Sequence, residues 1–229
     1  MSLPSRSLLD RDILKIREKL LQMTSMVDEA IDKAILALNT YDVQLAQEVI
    51  VGDNELNRLR HDVEDTVYMT LATQSPAASD LRTIIAAIHL AVELERMGDH
   101  AAGIASLVKR MTGQPEIDAS SKLTKMSKRA RQMVQEGIQA FLDRDVERAR
   151  NMIKRDNKLD KQYNKLFRET LHEMTDEESA QRATFLLWVG HNLERIGDRA
   201  TNIAERVIFL VTGEFVENID EPDDLTAAS

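Results

Sequence analysis

The sequence contains no cysteine, and aromatic residues make up only 4% of it. The absence of cysteine excludes disulfides, thiolate zinc sites, iron–sulfur clusters and cysteine nucleophiles. Only 8 glycines and 4 prolines occur in 229 residues, too few for a turn-rich all-β fold, so the composition favours long helices. Any metal that this chain binds must therefore use oxygen or imidazole ligands.

Long apolar runs are also missing. The longest strongly apolar, uncharged runs, residues 83–92 and 183–192, are well short of the ~20 residues that a membrane-spanning helix needs. The first residues lack the apolar core of a signal peptide. We therefore expect a cytoplasmic protein without direct membrane insertion.

The charge argues against nucleic acid as a partner. The formal net charge is −9, and no basic stripe with interleaved aromatic residues stands out in the sequence. Proteins that bind nucleic acid by neutralising phosphates carry such a stripe. We therefore expect no nucleic-acid binding.

Apolar residues recur at alternating spacings of three and four, the pattern of a helix that packs in a bundle. Turn residues interrupt this pattern at regular intervals, and Asp176 with Ser179 predicts the N-cap of the last helix. The predicted helices span residues 7–38, 42–73, 77–111, 121–142, 145–173 and 177–211. Helices of this length with short connections predict an all-α fold of antiparallel bundles.

The two halves of the chain repeat one another, which is its strongest organisational signal. Leu94-Glu-Arg-x-Gly-Asp99 reappears as Leu193-Glu-Arg-x-Gly-Asp198, and the segment from Asp42 reappears from Asp145. We therefore predict two tandem, similar three-helix bundles.

The predicted boundaries follow from this repeat. The first bundle takes residues 7–113 and the second residues 119–213, with the break at Gly113 and Pro115. Residues 214–229 hold six acids and no lysine or arginine. We expect this acidic tail to be a disordered, solvated end, with partner binding as the alternative.

Repeated carboxylates are the candidate metal ligands. Glu95 and Asp99 stand four residues apart on one helix, as do Glu194 and Asp198, so each pair has Cβ atoms about 5–6 Å apart and repels. A bound cation would remove the repulsion, and carboxylate oxygens suit iron, manganese, magnesium or calcium, with zinc as a further possibility. A solvated helix face that kept its register after an ancient duplication is the alternative explanation.

A second repeated pair lies on the preceding helix of each half. Asp53 with Asn57 matches Asp156 with Asp160, so antiparallel neighbours would bring four oxygen-bearing side chains together. Asn202 extends the row of Glu194 and Asp198, but Gly103 holds the matching place in the first half. The candidate metal ligands are Asp53, Asn57, Glu95, Asp99, Asp156, Asp160, Glu194, Asp198 and Asn202.

Other polar and bulky residues are interpreted as structural. Asp28 and Asp32 are replaced by Gln135 and Gln139 in the second half, so we expect them to face solvent. The histidines do not repeat between halves, and Trp188 is expected in the core. Gly98 and Gly197 each cost up to ~1 kcal/mol inside a helix, which a close approach of a neighbouring helix or room for a metal would explain.

No motif for catalysis is present. The chain lacks a glycine-rich phosphate loop, a nucleophile elbow and a His-Glu-x-x-His motif. Its single Glu-x-x-His, at Glu169 and His172, is one short of the two that a ferritin-like di-iron site uses. We therefore expect a protein that is not an enzyme.

These residues resemble the PhoU family of phosphate-transport regulators over residues 8–213. The resemblance rests on Asp80-Leu-Arg after the Gln74-Ser-Pro turn, on the two Leu-Glu-Arg-x-Gly-Asp motifs and on the duplicated plan. It implies metal binding at the paired motifs in some members, and homodimers. It also implies restraint of the phosphate-starvation response by linking a phosphate ABC transporter's ATPase to a sensor histidine kinase.

Two departures from the family pattern affect the expected sites. Asn57 stands where a second carboxylate is expected, so the second site should bind metal more strongly than the first. The Asp80-Leu-Arg triplet has no clean second copy. A carboxylate-bridged iron oxidase or storage protein and a helical chaperone cofactor remain as alternative functions.

Overall fold

The computed structural model describes residues 4–111, 120–172 and 174–216. Within these ranges the chain forms six α-helices and no strand, as the sequence predicts. The helices are α1 (Pro4–Thr40), α2 (Val43–Thr73), α3 (Ala78–Arg110), α4 (Ser120–Asp143), α5 (Val146–His172) and α6 (Glu177–Thr212). The largest difference from the predicted bounds is at the first helix, which begins at Pro4 rather than at residue 7. The predicted break at Gly113 and Pro115, and the tail from residue 217 onward, lie outside the described residues.

The turns between helices are built the same way in both halves. Tyr41 (φ 55°) and Arg144 (φ 54°) take a left-handed conformation, which ends α1 and α4 by turning the chain. The next residue caps the following helix: the Oδ1 atoms of Asp42 and Asp145 accept hydrogen bonds from the backbone N–H groups of Leu45 and Arg148, both at 2.9 Å. The two halves therefore share the same helix-capping hydrogen bonds as well as the same sequence motifs.

The last helix begins as the sequence predicts. Asp176 accepts a hydrogen bond from the Ser179 N–H at 2.8 Å, and the Ser179 hydroxyl lies 2.9 Å from the Asp176 N–H. These reciprocal bonds form a capping box, which satisfies two backbone donors at the start of α6.

Each half packs its three helices on one another. Helices α1, α2 and α3 are mutual neighbours, as are α4, α5 and α6. The halves are joined where α3 packs on α6 and α1 on α4, so α2 and α5 flank a central group of four helices. One continuous apolar core runs through both halves and includes the fully buried Leu20, Leu94, Val134 and Ile203. The predicted fold of two similar bundles is confirmed, while the boundaries 7–113 and 119–213 stay a prediction.

A charged contact also joins the halves and corrects one expectation. Arg131 on α4 donates to the two carboxylate oxygens of Asp28 on α1, at 2.9 and 2.7 Å, and also contacts Asp32. Gln135 adds a hydrogen bond to Asp28 at 3.0 Å. Asp28 therefore does not face solvent as expected, because it binds Arg131 and Gln135 of α4. Gln135 is the residue that holds the position of Asp28 in the second half.

Trp188 is a second correction. The sequence places it in an apolar run, yet its side chain is 50% exposed and stacks with the Arg110 guanidinium, 5.7 Å from the ring centroid. Leu186 and Val189 on either side of it are buried, so the apolar run includes a position that lies outside the packed face of α6.

Among the described helices, none combines the length and the apolar character that crossing a membrane requires.

Candidate metal centre

The repeated carboxylates lie where a flanking helix meets a central one. Asp53 and Asn57 are on α2, and Asp53 lies close enough to Asp99 of α3, which also carries Glu95, for the two carboxylates to repel one another. Asp156 and Asp160 are on α5 and face α6, which carries Glu194 and Asp198. The fold therefore brings carboxylates of neighbouring helices close together in each half, and their role as metal ligands stays a prediction.

The second half brings three carboxylates together. One oxygen from each of Asp156, Asp160 and Asp198 lies within 4.8 Å of the other two. No other trio of histidine, aspartate or glutamate side chains meets this description in the part of the chain that the structure describes. Two oxygens bound to one cation at the usual bond lengths are roughly 4–5 Å apart at most. The three aspartates thus have the spacing of a partial coordination shell.

The electrostatics of this cluster show that it holds more negative charge than its surroundings favour. Burial, with repulsion from Asp160 next, raises the pKa of Asp156 from 3.8 to about 7. Burial and Asp198 raise the pKa of Asp160. Without a cation, Asp156 keeps its proton to a higher pH than an isolated carboxyl would, and a bound cation would reverse this effect.

Glu194 lies at the edge of the same cluster. Its pKa is raised by burial and by Asp198, and lowered by His191. His191 Nδ1 lies 3.1 Å from Glu194 Oε2, a contact that the sequence did not reveal because His191 has no counterpart in the first half. Burial and Glu194 also raise the pKa of Tyr163, which lies on α5.

Two glycines lie against the buried carboxylate oxygens. A Cβ atom on Gly197 would lie 2.5 Å from Leu159 Cδ2 and 3.0 Å from Asp156 Oδ1. A Cβ atom on Gly98 would collide with Leu56 Cδ2 and lie 3.1 Å from Asp53 Oδ1. The close approach of a neighbouring helix thus explains both glycines. In each half the nearest atom belongs to a leucine of that helix.

The same aspartate oxygens lack hydrogen-bond partners. Asp53 Oδ1 and Asp156 Oδ1 are both buried and accept no hydrogen bond from the described residues. An unpartnered buried carboxylate oxygen is costly. The donor set, made of oxygens only, fits a hard cation such as magnesium, calcium, manganese or iron(III).

The first half is a weaker version of this arrangement. Asn57 turns its amide group toward Asp53 and donates to Asp53 Oδ2 at 3.0 Å. Arg60 Nε lies 3.8 Å from Glu95 Oε1, whereas Tyr163 holds the matching position in the second half. Burial and Asp99 still raise the pKa values of Asp53 and Glu95. The first site therefore has one carboxylate fewer and one cation more.

Asn202 faces a different part of the molecule. It lines a cavity between α3 and α6 together with His89 and Glu93. Its neighbour Thr201, which the spacing of the carboxylates does not single out, donates a hydrogen bond to Asp156 Oδ2 at 3.1 Å. Thr201 rather than Asn202 contacts Asp156 because four residues are more than one helical turn. The positions 194, 198 and 202 therefore rotate progressively away from α5.

The family model described as "PhoU domain" matches this chain twice, at residues 20–108 and 123–207. The chain belongs to the PhoU family. Each matched region contains one of the two carboxylate sets, so each PhoU domain of this chain supplies its own candidate site.

Individual relatives agree with the family match. The chain is 33% identical over 215 residues to a protein from Clostridium acetobutylicum named phosphate-specific transport system accessory protein PhoU homolog, covering 93% of this chain and 98% of the relative. A Caulobacter vibrioides protein of the same name is 36% identical over 208 residues, with 89% of each chain covered.

Solved structures confirm the fold. The crystal structure of PhoU from Pseudomonas aeruginosa matches with a TM-score of 0.84 at 32% identity, covering 90% of this chain and 99% of that one. The phosphate transport system regulatory protein PhoU from Streptococcus pneumoniae matches with a TM-score of 0.85 at 32% identity, covering 92% and 100%. The PhoU arrangement of two three-helix repeats is therefore the fold of this chain.

Proposed function

We propose that this protein is a cytoplasmic, non-enzymatic regulator of phosphate uptake that restrains the phosphate-starvation response. The observation that carries the proposal is the match of both halves to the PhoU domain, with relatives named as accessory proteins of phosphate-specific transport systems. As an adaptor it would dock on the ATPase of a phosphate ABC transporter and on a sensor histidine kinase. We expect it to act as a homodimer.

The long helices suit such a role. Two flanking helices, α2 and α5, have one face in the core and one in solvent, which leaves extended surfaces for partner proteins. Helical surfaces of this kind recognise partners by packing and charge, and need no catalytic group.

Metal binding is part of the proposal. Asp156, Asp160 and Asp198 would hold the cation, with Glu194 at the edge of the site. A bound cation would neutralise the mutual repulsion of these carboxylates and tie α5 to α6. The buried, unpartnered Asp156 Oδ1 supports this proposal.

The deciding experiment is a reporter assay. Alkaline phosphatase, or another phosphate-starvation reporter, is measured in cells that lack this gene and grow in abundant phosphate, with and without a plasmid copy. The proposal requires a high reporter signal without the protein and a silenced one with the plasmid. Unchanged phosphate control in the deletion strain would contradict it.

Two further functions are separable by direct assays. An iron oxidase would consume oxygen with sustained turnover when iron(II) is added. The structure gives little support to an iron oxidase, because Glu169 of the single Glu-x-x-His is ion-paired with Lys122 and Lys165. A chaperone cofactor would bind a chaperone ATPase in preference to a phosphate-transporter ATPase in a pull-down. Sedimentation velocity tests the homodimer.

A further inference from the structure

A groove between α4 and α5 gathers positive charge in a chain that is acidic overall. It has a volume of about 410 Å³ and is lined by Lys125, Lys128, Arg129, Gln132, Met133, Arg155 and Lys158. The cations come from two helices that are about thirty residues apart in sequence, which is why no basic stripe stands out along the chain.

Four of the five cations that line the groove form no ion pair within the part of the chain that the structure describes. Among the described residues, no carboxylate forms an ion pair with Lys125, Lys128, Arg129 or Lys158, while Arg155 is paired with Glu136. The Nε atom of Arg129 is buried and has no hydrogen-bond partner. By contrast, Arg131 on the same helix is paired with Asp28. The groove thus carries four cations that the described residues do not neutralise.

The first half lacks this charge at the equivalent positions. By the repeat that matches Met26 to Met133 and Asp53 to Asp156, the positions of the lining cations are held there by Glu18, Leu21, Gln22, Gly52 and Glu55. A generic feature of the duplicated fold would be present in both halves. The positive groove is therefore a property of the second half alone.

The shape and lining of the groove favour a compact anion. A volume of about 410 Å³ lies within the range of small-molecule sites, and charges inside a cleft focus the field more than charges on a flat face. Lys125 and Gln132 are about 10 Å apart along α4. The lining contains no aromatic ring on which bases would stack, and only Met133 would offer an apolar surface to a partner helix.

We propose that the α4–α5 groove binds a small anion that carries several linked phosphoryl groups, such as inorganic triphosphate. Guanidinium and ammonium groups are the side chains that recognise phosphoryl oxygens. Four cations that are not neutralised by neighbours match an oligophosphate better than a single orthophosphate, which can contact only one or two of them at once. None of the three clustered aspartates lines this groove, so anion binding there does not depend on the proposed metal.

The test is titration calorimetry with inorganic triphosphate at low ionic strength, on chelator-treated protein because triphosphate itself binds divalent cations. The groove variant is Lys128→Ala/Lys158→Ala. The matched control is Lys154→Ala/Lys161→Ala, which removes the same charge from exposed positions of α5 that do not line the groove. Circular dichroism checks that both variants retain the helices.

We expect saturable binding of triphosphate to the wild-type protein, weakened at least about tenfold in the groove variant and less than about twofold in the control. Orthophosphate should bind much more weakly. Absence of saturable binding, or an equal loss in both variants, would overturn the proposal, since an equal loss indicates a diffuse effect of net charge. Binding of a glutamate-rich peptide, but not of triphosphate, would overturn the ligand class and point to an acidic protein partner.

Discussion

The buried Oδ1 atom of Asp156 lies 3.0 Å from the position that a Cβ atom on Gly197 would take. Asp53 Oδ1 and Gly98 repeat this relationship at 3.1 Å in the first half. In both halves the glycine has no side chain, so a leucine of the flanking helix packs directly on the central helix. The aspartate three residues before that leucine then lies in the same helix contact. Helix packing and the candidate metal ligands are thus set by the same two positions.

Gly197→Ala should destabilise the protein. The added Cβ would lie 2.5 Å from Leu159 Cδ2, and Leu159 is fully buried and cannot move aside freely. Overpacking of this kind costs about 1–3 kcal/mol, which urea unfolding would measure.

Gly52→Ala is the matched control, because nothing lies within 4 Å of its added Cβ. There the higher helix propensity of alanine should raise the free energy of unfolding by about 0.5–1 kcal/mol. Equal effects at the two glycines would show that helix packing does not require Gly197.

Removal of one aspartate should lower metal content more in the second half than in the first. Asp198→Ala takes away one of three clustered carboxylates, whereas Asp99→Ala affects a site that already has Asn57 as a donor to Asp53 and Arg60 near Glu95. Elemental analysis after dialysis against each metal measures bound cation per chain. Asp62→Ala, at an exposed acid of α2, serves as the control. A larger loss from Asp99→Ala would contradict the proposed order of affinities.

The apo protein should lose stability as the pH rises from about 4 to about 7. The folded state raises the pKa of Asp156 from 3.8 to about 7, so in this window it retains a proton that the unfolded chain has released. Asp156 therefore contributes most to the free energy of unfolding below pH 3.8, where it is protonated in both states. This contribution is lost as the pH rises through about 7.

Asp156→Asn tests this effect because the amide cannot ionise. We expect the variant to gain about 1–2 kcal/mol relative to the wild type between pH 4.5 and pH 8, after allowance for partial solvent exposure. The free energy of unfolding in chelator across this range is the measurement. A difference that does not change with pH would show that Asp156 is ionised in both states.

The ion pair between Arg131 and Asp28 should contribute to the junction of the halves. A double-mutant cycle with Arg131→Gln and Asp28→Asn should give a coupling of about 1 kcal/mol, since the pair is bidentate and half-buried. The pair Lys33 and Glu29 is more exposed and lies on a single helix, so its coupling should be about 0.3–0.5 kcal/mol. Equal couplings would mean that burial of the Arg131 contact adds nothing.

Local patterns predicted the helices well because they depend on near neighbours. The spacing of apolar residues gave six helices close to their observed bounds, and Asp176 with Ser179 forms the expected capping box. Trp188 and Asp28 were placed wrongly, because an apolar run does not reveal where a packed face ends and a missing repeat does not reveal a partner on another helix.

The sequence by itself determined the helices, the duplicated plan and which side chains are candidate metal ligands, because periodicity and repetition are written along the chain. Only the tertiary structure decided that Asp156, Asp160 and Asp198 converge, that Thr201 rather than Asn202 contacts Asp156, and that lysines of α4 and α5 line one groove. These relationships join residues of different helices. They depend on the rotation and height at which two helices pack, and those are set by the whole core rather than by any local pattern.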